Sequence, residues 1–347
     1  MTVLVLLLVL GLAVANGSND VPKGVATLAG AGVTNLRTAI TWGAITTAIG
    51  CLVSLHFASR MTALFSKGIV SAKPTPAFAA AVLIGTVAWV AFATWRRLPV
   101  STTHALVGSL LGAGFLFASS SVRWHALVVK VIQPLLLSVL IAWCASAILA
   151  TGARLVAKQL ASSARSSSPA REQVLVAPGA PAETTSAAAP EPASRLGVIG
   201  LAHWLTSGLT SFARGMNDTP KIVAIGSFAL VAGLTPTRLL FVVTAAMAIG
   251  GLIGGKIIGR RLATDVVKMS HAEGFAANLT TAVMVSLGAF RGLPMSTTHV
   301  SIGAITGLAG TDVSRLKKKT LRDFILAWVV TPPFAACVAA IAYLSLR

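Results

Sequence analysis

Long apolar stretches alternate with short polar breaks along most of the chain, and several stretches reach about 20 residues, the length that crosses a bilayer as α-helix. The stretches predict membrane-spanning helices near residues 38–58, 77–95, 126–150, 237–257, 272–290 and 323–345. Shorter apolar pieces between them are interrupted by polar motifs. The pattern therefore predicts an all-α, polytopic membrane protein in which some helices are discontinuous or re-entrant.

Composition supports a membrane protein. Hydrophobic residues make up 55% of the 347 residues, charged residues only 11%, and the mean hydropathy is +0.83. A soluble core of this size cannot bury so much apolar side chain, so the lipid bilayer is a predicted partner. The net charge of +19 would suit nucleic acid, but basic loops also orient membrane proteins, and the positions of the charges decide between these interpretations.

Two polar motifs occur twice in the same order. The acidic motif Gly-Ser-Asn-Asp-Val-Pro-Lys at 17–23 recurs as Gly-Met-Asn-Asp-Thr-Pro-Lys at 215–221, which is 198 residues later. The hydroxyl motif Leu-Pro-Val-Ser-Thr-Thr-His at 98–104 recurs as Leu-Pro-Met-Ser-Thr-Thr-His at 293–299, which is 195 residues later. Two such matches at nearly equal offsets indicate an internal duplication.

The duplication predicts three regions. Residues 1–150 form a first membrane repeat, residues 151–195 form a flexible linker rich in Ala, Ser and Pro, and residues 196–347 form the second repeat. We expect five crossings in each repeat. Because five is odd, the second repeat would be inverted relative to the first, which is a known construction of secondary transporters.

Charge distribution predicts the orientation. Placing the linker on one side of the membrane collects most of the 28 Lys and Arg on that side. By the positive-inside rule, the linker is then cytoplasmic and both termini face outward, in a multi-pass protein of the cell (inner) membrane. The basic character thus reflects topology, and no nucleic-acid partner is predicted.

Two acidic residues stand out from the rest. Of nine Asp and Glu, only Asp20 and Asp218 fall inside the apolar part of the repeats, where an ionisable side chain usually marks a substrate or ion path. Asn-Asp followed closely by Pro is typical of a helix start. We therefore expect each acidic motif to interrupt a membrane helix and to point free backbone N–H groups at an anion.

The hydroxyl motifs predict further helix starts. Proline ends the preceding helix and is tolerated at the beginning of the next one, and the Ser or Thr hydroxyls can cap that helix. Hydroxyls donate to a tetrahedral oxyanion and, like carboxylate and amide oxygens, can bind a small hard cation. The predicted substrate-binding residues of the two repeats are Asn19, Asp20, Lys23, Ser101, Thr102, Thr103, Asn217, Asp218, Lys221, Ser296, Thr297 and Thr298. The predicted sodium ligands among them are Asn19, Asp20, Asn217 and Asp218.

The lysines and histidines of the motifs each have more than one possible role. Lys23 and Lys221 could be snorkelling side chains, but their place in the motif favours pairing with the anion or with a carboxylate. His104 and His299 either cap and pack beside the hydroxyls or relay a proton. The sequence alone does not choose between these alternatives.

These motifs resemble the PiT family of inorganic phosphate transporters, in which each half carries a Gly-x-Asn-Asp motif and a later Pro-x-Ser-Thr-x-His-like motif. The segment Ser-Phe-Ala-Arg-Gly-Met-Asn-Asp at 211–218 is similar to that family's second copy. The resemblance covers both repeats. It implies symport of phosphate with sodium ions or protons, in some bacterial members as a metal–phosphate complex, at a site between the repeats, in a homodimer and without a cofactor.

The sequence departs from that family at one place in each half. The usual motif continues Asn-Asp-Val-Ala-Asn, whereas Pro22-Lys23 and Pro220-Lys221 stand here, so each half gains a positive charge where a neutral amide is common. A lysine ammonium could replace a bound sodium ion or compensate a more highly charged substrate. A permease for sulfate or a small phosphonate is therefore an alternative.

Two other classes of protein fit these motifs less well than a transporter. A membrane enzyme could use a hydroxyl beside His104 or His299, but two near-identical sites suit translocation better than bond breaking, and motifs of hydrolases or zinc peptidases are missing from the sequence. A channel would lack saturable, gradient-coupled uptake. The sequence therefore predicts a secondary active transporter that imports phosphate by cation-coupled symport through alternating access, and no enzyme.

Overall fold

A computed structural model of the chain describes residues 1–57, 59–166, 197–229, 234–310 and 312–347. Its α-helices are α1 (Thr2–Gly30), α2 (Leu36–Phe57), α3 (Ser59–Ala63), α4 (Pro76–Trp95), α5 (Thr102–Ala118), α6 (Trp124–Leu127), α7 (Gln133–Ser166), α8 (Val198–Gly226), α9 (Pro236–Thr264), α10 (His271–Arg291), α11 (Thr297–Gly307) and α12 (Lys318–Leu346). The described residues form no β-strand, only one isolated bridge between Val70 and Val122. The all-α prediction is confirmed.

Seven helices in the described ranges are long and apolar enough to cross a membrane. They are Thr2–Gly30, Leu36–Phe57, Pro76–Trp95, Thr102–Ser121, Trp124–Leu155, Pro236–Thr264 and Lys318–Leu346. Five of the six predicted spans coincide with them, while the span predicted near 272–290 lies on α10, which is not among the seven. Large apolar side chains such as Leu136, Ile148 and Val329 are exposed on the outer surface, as lipid contact requires. The protein is a multi-pass membrane protein.

The two halves contain the same series of long helices. Helices α1, α2, α4, α5 and α7 correspond in order to α8, α9, α10, α11 and α12. Packing partners are exchanged between the halves, because α1 packs on α9, α8 packs on α2, α12 packs on α4 and α5, and α7 packs on α10 and α11. The helices that carry the acidic motifs, α1 and α8, also contact each other. The halves therefore interlock, with both acidic motifs at their junction.

The prediction that the acidic motifs interrupt their helices is wrong. Helix α1 continues through Pro22, and helix α8 continues through Pro220. Each proline removes one backbone hydrogen bond, a loss that membrane helices tolerate when neighbouring helices pack around them. The Asn side chains of these motifs bond to the irregular segments before α5 and α11, the Asp side chains bond mainly to groups of their own helices, and none of them caps a new helix start. The sequence pattern for a helix cap is present, but the Asn and Asp side chains that could form the cap are engaged in other hydrogen bonds.

The hydroxyl motifs do interrupt the helices, as predicted. Between α4 and α5 the chain is irregular, and the Ser101 hydroxyl caps α5 by accepting a hydrogen bond of 3.2 Å from the backbone N–H of His104. Between α10 and α11, the Ser296 hydroxyl accepts from the N–H of His299 at the same distance. Among the four polar motifs, all of which lie in the described residues, the two hydroxyl motifs interrupt helices and the two acidic motifs do not.

The boundary predicted at residue 150 falls inside a helix. Helix α7 continues to Ser166, so the first residues of the predicted flexible linker, 151–166, are helical. The rest of that linker, residues 167–195, lies outside the described residues. The helix extends past the apolar segment because Ala, Leu, Lys, Gln and Arg, which are good helix formers, continue the sequence there.

The glycine that opens each acidic motif lies where two helices cross closely. A Cβ atom added at Gly17 would lie 2.0 Å from the carbonyl oxygen of Met247 on α9. A Cβ atom added at Gly215 would lie 2.2 Å from the carbonyl oxygen of Thr47 on α2. Backbone atoms cannot move aside as a flexible side chain can. The motif glycines therefore serve helix packing.

Alanine at Gly215 or Gly17 is expected to lower the Tm of the purified protein in detergent, because overpacking a helix crossing costs about 1–3 kcal/mol. The matched control is Gly152→Ala. Gly152 is an exposed helical glycine with no atom within 4 Å of the added Cβ, and alanine there gains up to about 1 kcal/mol of helix propensity. A Tm for Gly215→Ala at or above that of the wild type would contradict the close crossing.

Candidate substrate site

Residues at equivalent positions of the two halves contact each other at the centre of the molecule. The Ser101 and Ser296 hydroxyl oxygens are 2.9 Å apart. Arg214 donates from Nη1 to Asn16 Oδ1 at 3.0 Å, and positions 16 and 214 are separated by the same 198 residues as the acidic motifs. The two halves thus contribute to one site.

Asp20 and Asp218 lie close together, as the sequence predicts. Asn16 Nδ2 donates to Asp20 Oδ2 at 3.0 Å and to Asp218 Oδ2 at 3.3 Å, so one amide group bridges the two carboxylates. Asp20 also accepts hydrogen bonds from the Lys23 ammonium and from the Thr102 hydroxyl, the latter at 3.4 Å. The first carboxylate is therefore bonded to α1 itself and to the start of α5.

Asp218 lies in a more cationic environment than Asp20. Its Oδ1 accepts hydrogen bonds from Lys221 Nζ at 3.2 Å and from Asn217 Nδ2 at 2.9 Å. Arg214 Nη1 is 3.7 Å from Asp218 Oδ2, and the same guanidinium donates from Nη2 to the Thr47 hydroxyl at 2.9 Å. Through Asn16 on α1 and Thr47 on α2, Arg214 therefore links Asp218 to two other helices.

Each lysine of the acidic motifs makes the same three kinds of contact. The partners are the carboxylate of its own motif, a carbonyl oxygen of the hydroxyl motif in its own half, and a threonine hydroxyl of the other half. For Lys23 they are Asp20, the carbonyl oxygen of Val100 at 2.7 Å, and Thr298. For Lys221 they are Asp218, the carbonyl oxygen of Met295 at 3.2 Å, and Thr103 at 2.7 Å. Both lysines thus connect the two halves, and each contacts the carboxylate of its own motif, while pairing with the anion stays a prediction.

The two motif asparagines fix the irregular segments before α5 and α11. Asn19 accepts at Oδ1 from the N–H of Val100 at 3.1 Å and donates from Nδ2 to the carbonyl oxygen of Leu98 at 3.0 Å. Asn217 accepts from the N–H of Met295 at 3.3 Å and donates to its carbonyl oxygen at 2.9 Å. The amides therefore satisfy backbone groups that the helix breaks leave free.

The starts of α5 and α11 are buried beside this charged cluster. The hydroxyl residues there, each at most 5% exposed, are Ser101, Thr102, Thr103, Ser296, Thr297 and Thr298. The first backbone N–H groups of a helix have no partner within the helix, and they form a favourable environment for an anion. Hydroxyl and backbone donors of both halves thus adjoin the two carboxylates.

His104 and His299 pack against each other beside the cluster. Their ring centroids are 4.4 Å apart, and the His299 ring is 4.1 Å from that of Trp328. Both rings line an apolar groove of about 520 Å³ that includes Leu136 and Val329. In the described part of the chain, the Nδ1 atoms of both rings are buried without a hydrogen-bond partner. The packing alternative is therefore the one observed, and proton relay stays a prediction.

The charged groups of the cluster do not balance. Asp20, Lys23, Arg214 and Lys221 are 1% exposed and Asp218 is 3% exposed. Three basic and two acidic side chains leave one excess positive charge when all are ionised. Buried charge is costly unless it is compensated, so this site favours an additional anion.

Two central residues were not among the predicted site residues. Asn16 lies one helical turn before Asp20, and Arg214 lies one turn before Asp218. The repeat offset aligns these two positions. A search for identical residues does not find them, because the first repeat has an asparagine where the second has an arginine. A polar residue inside an apolar stretch, one turn from a motif acid, was the signal that could have identified them.

The described residues form an all-helical fold with an apolar exterior. At its centre, two interlocked halves share a buried cluster of charged side chains. These features are typical of a multi-pass membrane transporter. The chain belongs to the phosphate transporter family, whose sequence profile matches residues 16–339. The resemblance seen in the motifs is confirmed, and the protein is a transporter and not an enzyme.

Relatives and one solved structure match nearly the whole chain. A Bacillus subtilis protein named "Probable low-affinity inorganic phosphate transporter" is 26% identical, over 100% of this chain and 97% of its own length. A Rhizobium meliloti protein of the same name is 27% identical, over 94% of this chain and 91% of its own length. A solved structure titled "The sodium-dependent phosphate transporter" has a TM-score of 0.76 at 22% identity and covers 99% of this chain and 98% of its own. It supports the fold.

Proposed function

We propose that the chain imports inorganic phosphate across the cell membrane by cation-coupled symport through alternating access. The observation that carries this proposal is the buried excess of positive charge, which lies against two facing helix starts rich in hydroxyl and backbone donors. Such a site suits a small tetrahedral oxyanion, because donors can approach it from several directions. The family and the names of the relatives favour phosphate among such anions.

Arg214 and the hydroxyl motifs are the proposed anion ligands. Arg214 Nε is buried without a hydrogen-bond partner in the described residues, so this guanidinium retains a donor for the anion. Thr102 and Thr297 occupy the first positions of α5 and α11, where free backbone N–H groups and hydroxyls lie together. The remaining predicted residues hold these donors in place through the contacts described above.

The closure of the site supports alternating access. The charged side chains are almost completely buried, so an anion reaches them only if helices move, and a permanently open channel is disfavoured. The exchanged packing of the two halves suits a rocking motion around a central site. Within this proposal the repeats are inverted, the termini face outward, the linker is cytoplasmic and the protein lies in the inner membrane.

A cation gradient is the proposed driving force. Phosphate that carries two charges would exceed the single positive charge of the site, and a co-transported sodium ion or proton would offset the difference. A second candidate substrate is another oxyanion, such as sulfate or a small phosphonate. The two lysines favour it, since they strengthen the positive field without selecting phosphate.

Reconstituted flux tests this proposal. Proteoliposomes that contain the full chain are given radiolabelled phosphate or sulfate, with inward sodium and proton gradients imposed separately. We expect saturable phosphate uptake under one of the gradients, with excess phosphate competing and sulfate competing weakly. Faster uptake of sulfate than of phosphate would identify sulfate as the substrate. Uptake that does not saturate would contradict alternating access.

A further inference from the structure

The ammonium groups of Lys23 and Lys221 each lie in a cage of oxygen atoms. Each group has three N–H donors, and each is bonded to a carboxylate oxygen, a carbonyl oxygen and a threonine hydroxyl. Oxygen atoms of these kinds are also the ligands that small hard cations take from proteins. Each lysine nitrogen therefore lies where a small metal cation would find its ligands.

The groups that would bind sodium at these positions are already engaged. Asp20 and Asp218 contact the ammonium groups, and both lysines are 1% exposed. The amide oxygen of Asn19 accepts from one backbone N–H, and that of Asn217 accepts from another. A sodium ion that used these ligands would have to sit directly beside an ammonium group in a buried, weakly screened site, where like charges repel strongly.

We propose that Lys23 and Lys221 are tethered substitutes for coupling cations, so that this transporter neither binds nor uses sodium. This inference rests on the proposed phosphate transport and determines one part of it, the identity of the coupling ion. The ammonium groups remain with the protein during the transport cycle. They compensate the carboxylates and the anion without being carried across the membrane, and a gradient other than sodium then drives uptake.

Replacing both lysines by asparagine tests the proposal. The double variant Lys23→Asn/Lys221→Asn leaves both carboxylates in place and opens the two cages to a free cation. Thermal unfolding of the purified full-length protein is measured in sodium chloride and in choline chloride. We expect sodium to raise the Tm of the double variant by about 2 °C or more, as a ligand at about ten times its dissociation constant does in a chain of this size. The wild-type Tm should be the same in both salts.

The control variant is Lys23→Met/Lys221→Met. Methionine removes the charge but fills the cage and supplies no oxygen ligand, so sodium should not raise the Tm of this variant. Uptake of radiolabelled phosphate into proteoliposomes is a second readout. Wild-type uptake should be equal with inward sodium and inward choline gradients, whereas the asparagine variant should be stimulated by sodium.

The outcomes separate this inference from the proposed function. A wild-type protein that sodium stabilises or stimulates would overturn the inference, and so would a folded asparagine variant without any sodium response. If the asparagine variants do not fold, the wild-type comparison of sodium with choline still decides. Failure of the wild type to take up phosphate under any gradient would instead contradict the proposed function, and the thermal measurements would remain informative.

Discussion

Phosphate uptake should fall about 100-fold when either Asp20 or Asp218 is replaced by asparagine. Each carboxylate is buried and pairs with the lysine of its own motif, so its removal leaves an ammonium group without compensation. Removing one partner of a buried ion pair perturbs the folded site by about 3–5 kcal/mol. A 100-fold loss of uptake corresponds to about 2.8 kcal/mol, so only part of that perturbation has to act on transport. Initial rates in proteoliposomes with equal amounts of folded protein measure the change.

Two further variants separate the charge effect from general damage. Asp312→Asn is the matched control, since Asp312 is exposed and bonds to the neighbouring Ser314, and it should retain wild-type uptake. The double variant Asp218→Asn/Lys221→Met removes both members of one pair, so its Tm should recover relative to Asp218→Asn while uptake stays low. Wild-type uptake by both single aspartate variants would contradict a site built on these carboxylates.

Replacing Arg214 by glutamine should raise the KM for phosphate about 10- to 100-fold. Arg214 supplies the excess positive charge of the cluster and also bonds to Asn16 and Thr47 on two other helices. A hydrogen bond to a charged group contributes about 1.5–3 kcal/mol, which sets the size of the expected change. Concentration dependence of initial uptake gives the KM.

Arg214→Lys distinguishes charge from geometry. Lysine retains the positive charge but cannot reproduce the planar pair of bonds that a guanidinium makes, so we expect an intermediate KM. The matched control is Arg322→Gln, which removes a positive charge from an exposed position on α12 and should leave the KM unchanged. An unchanged KM in Arg214→Gln would contradict its proposed role as an anion ligand.

The sequence identified the helix breaks whose cause is local. The Ser101 hydroxyl caps a backbone N–H only three residues away, and Ser296 does the same, so the residues that create these helix starts are adjacent in the chain. Asn19 and Asp20 have equally good capping side chains, but they also bond to groups about 80 residues away in the chain, Val100 before α5 and Thr102 at the start of α5. A local pattern cannot reveal such distant partners, which is why the helix through Pro22 was predicted to break.

The duplication predicted which residues meet, because equivalent positions in two copies of one unit can approach each other across their junction. It did not predict the partners of Lys23 and Lys221, since each lysine bonds to a threonine of the opposite half. It also passed over the contact between Asn16 and Arg214, where the two halves have diverged chemically. These contacts depend on how the helices cross, and the crossing is set by close packing at Gly17 and its counterpart.

We propose that a single anion binds in the cluster shared by the two halves, beside Arg214. Equilibrium binding of radiolabelled phosphate to the purified protein, wild type against Arg214→Gln, tests it most directly. The predicted result is saturable binding of a single phosphate per chain in the wild type and severely weakened binding in the variant. Binding of equal affinity in a folded Arg214→Gln variant would contradict it.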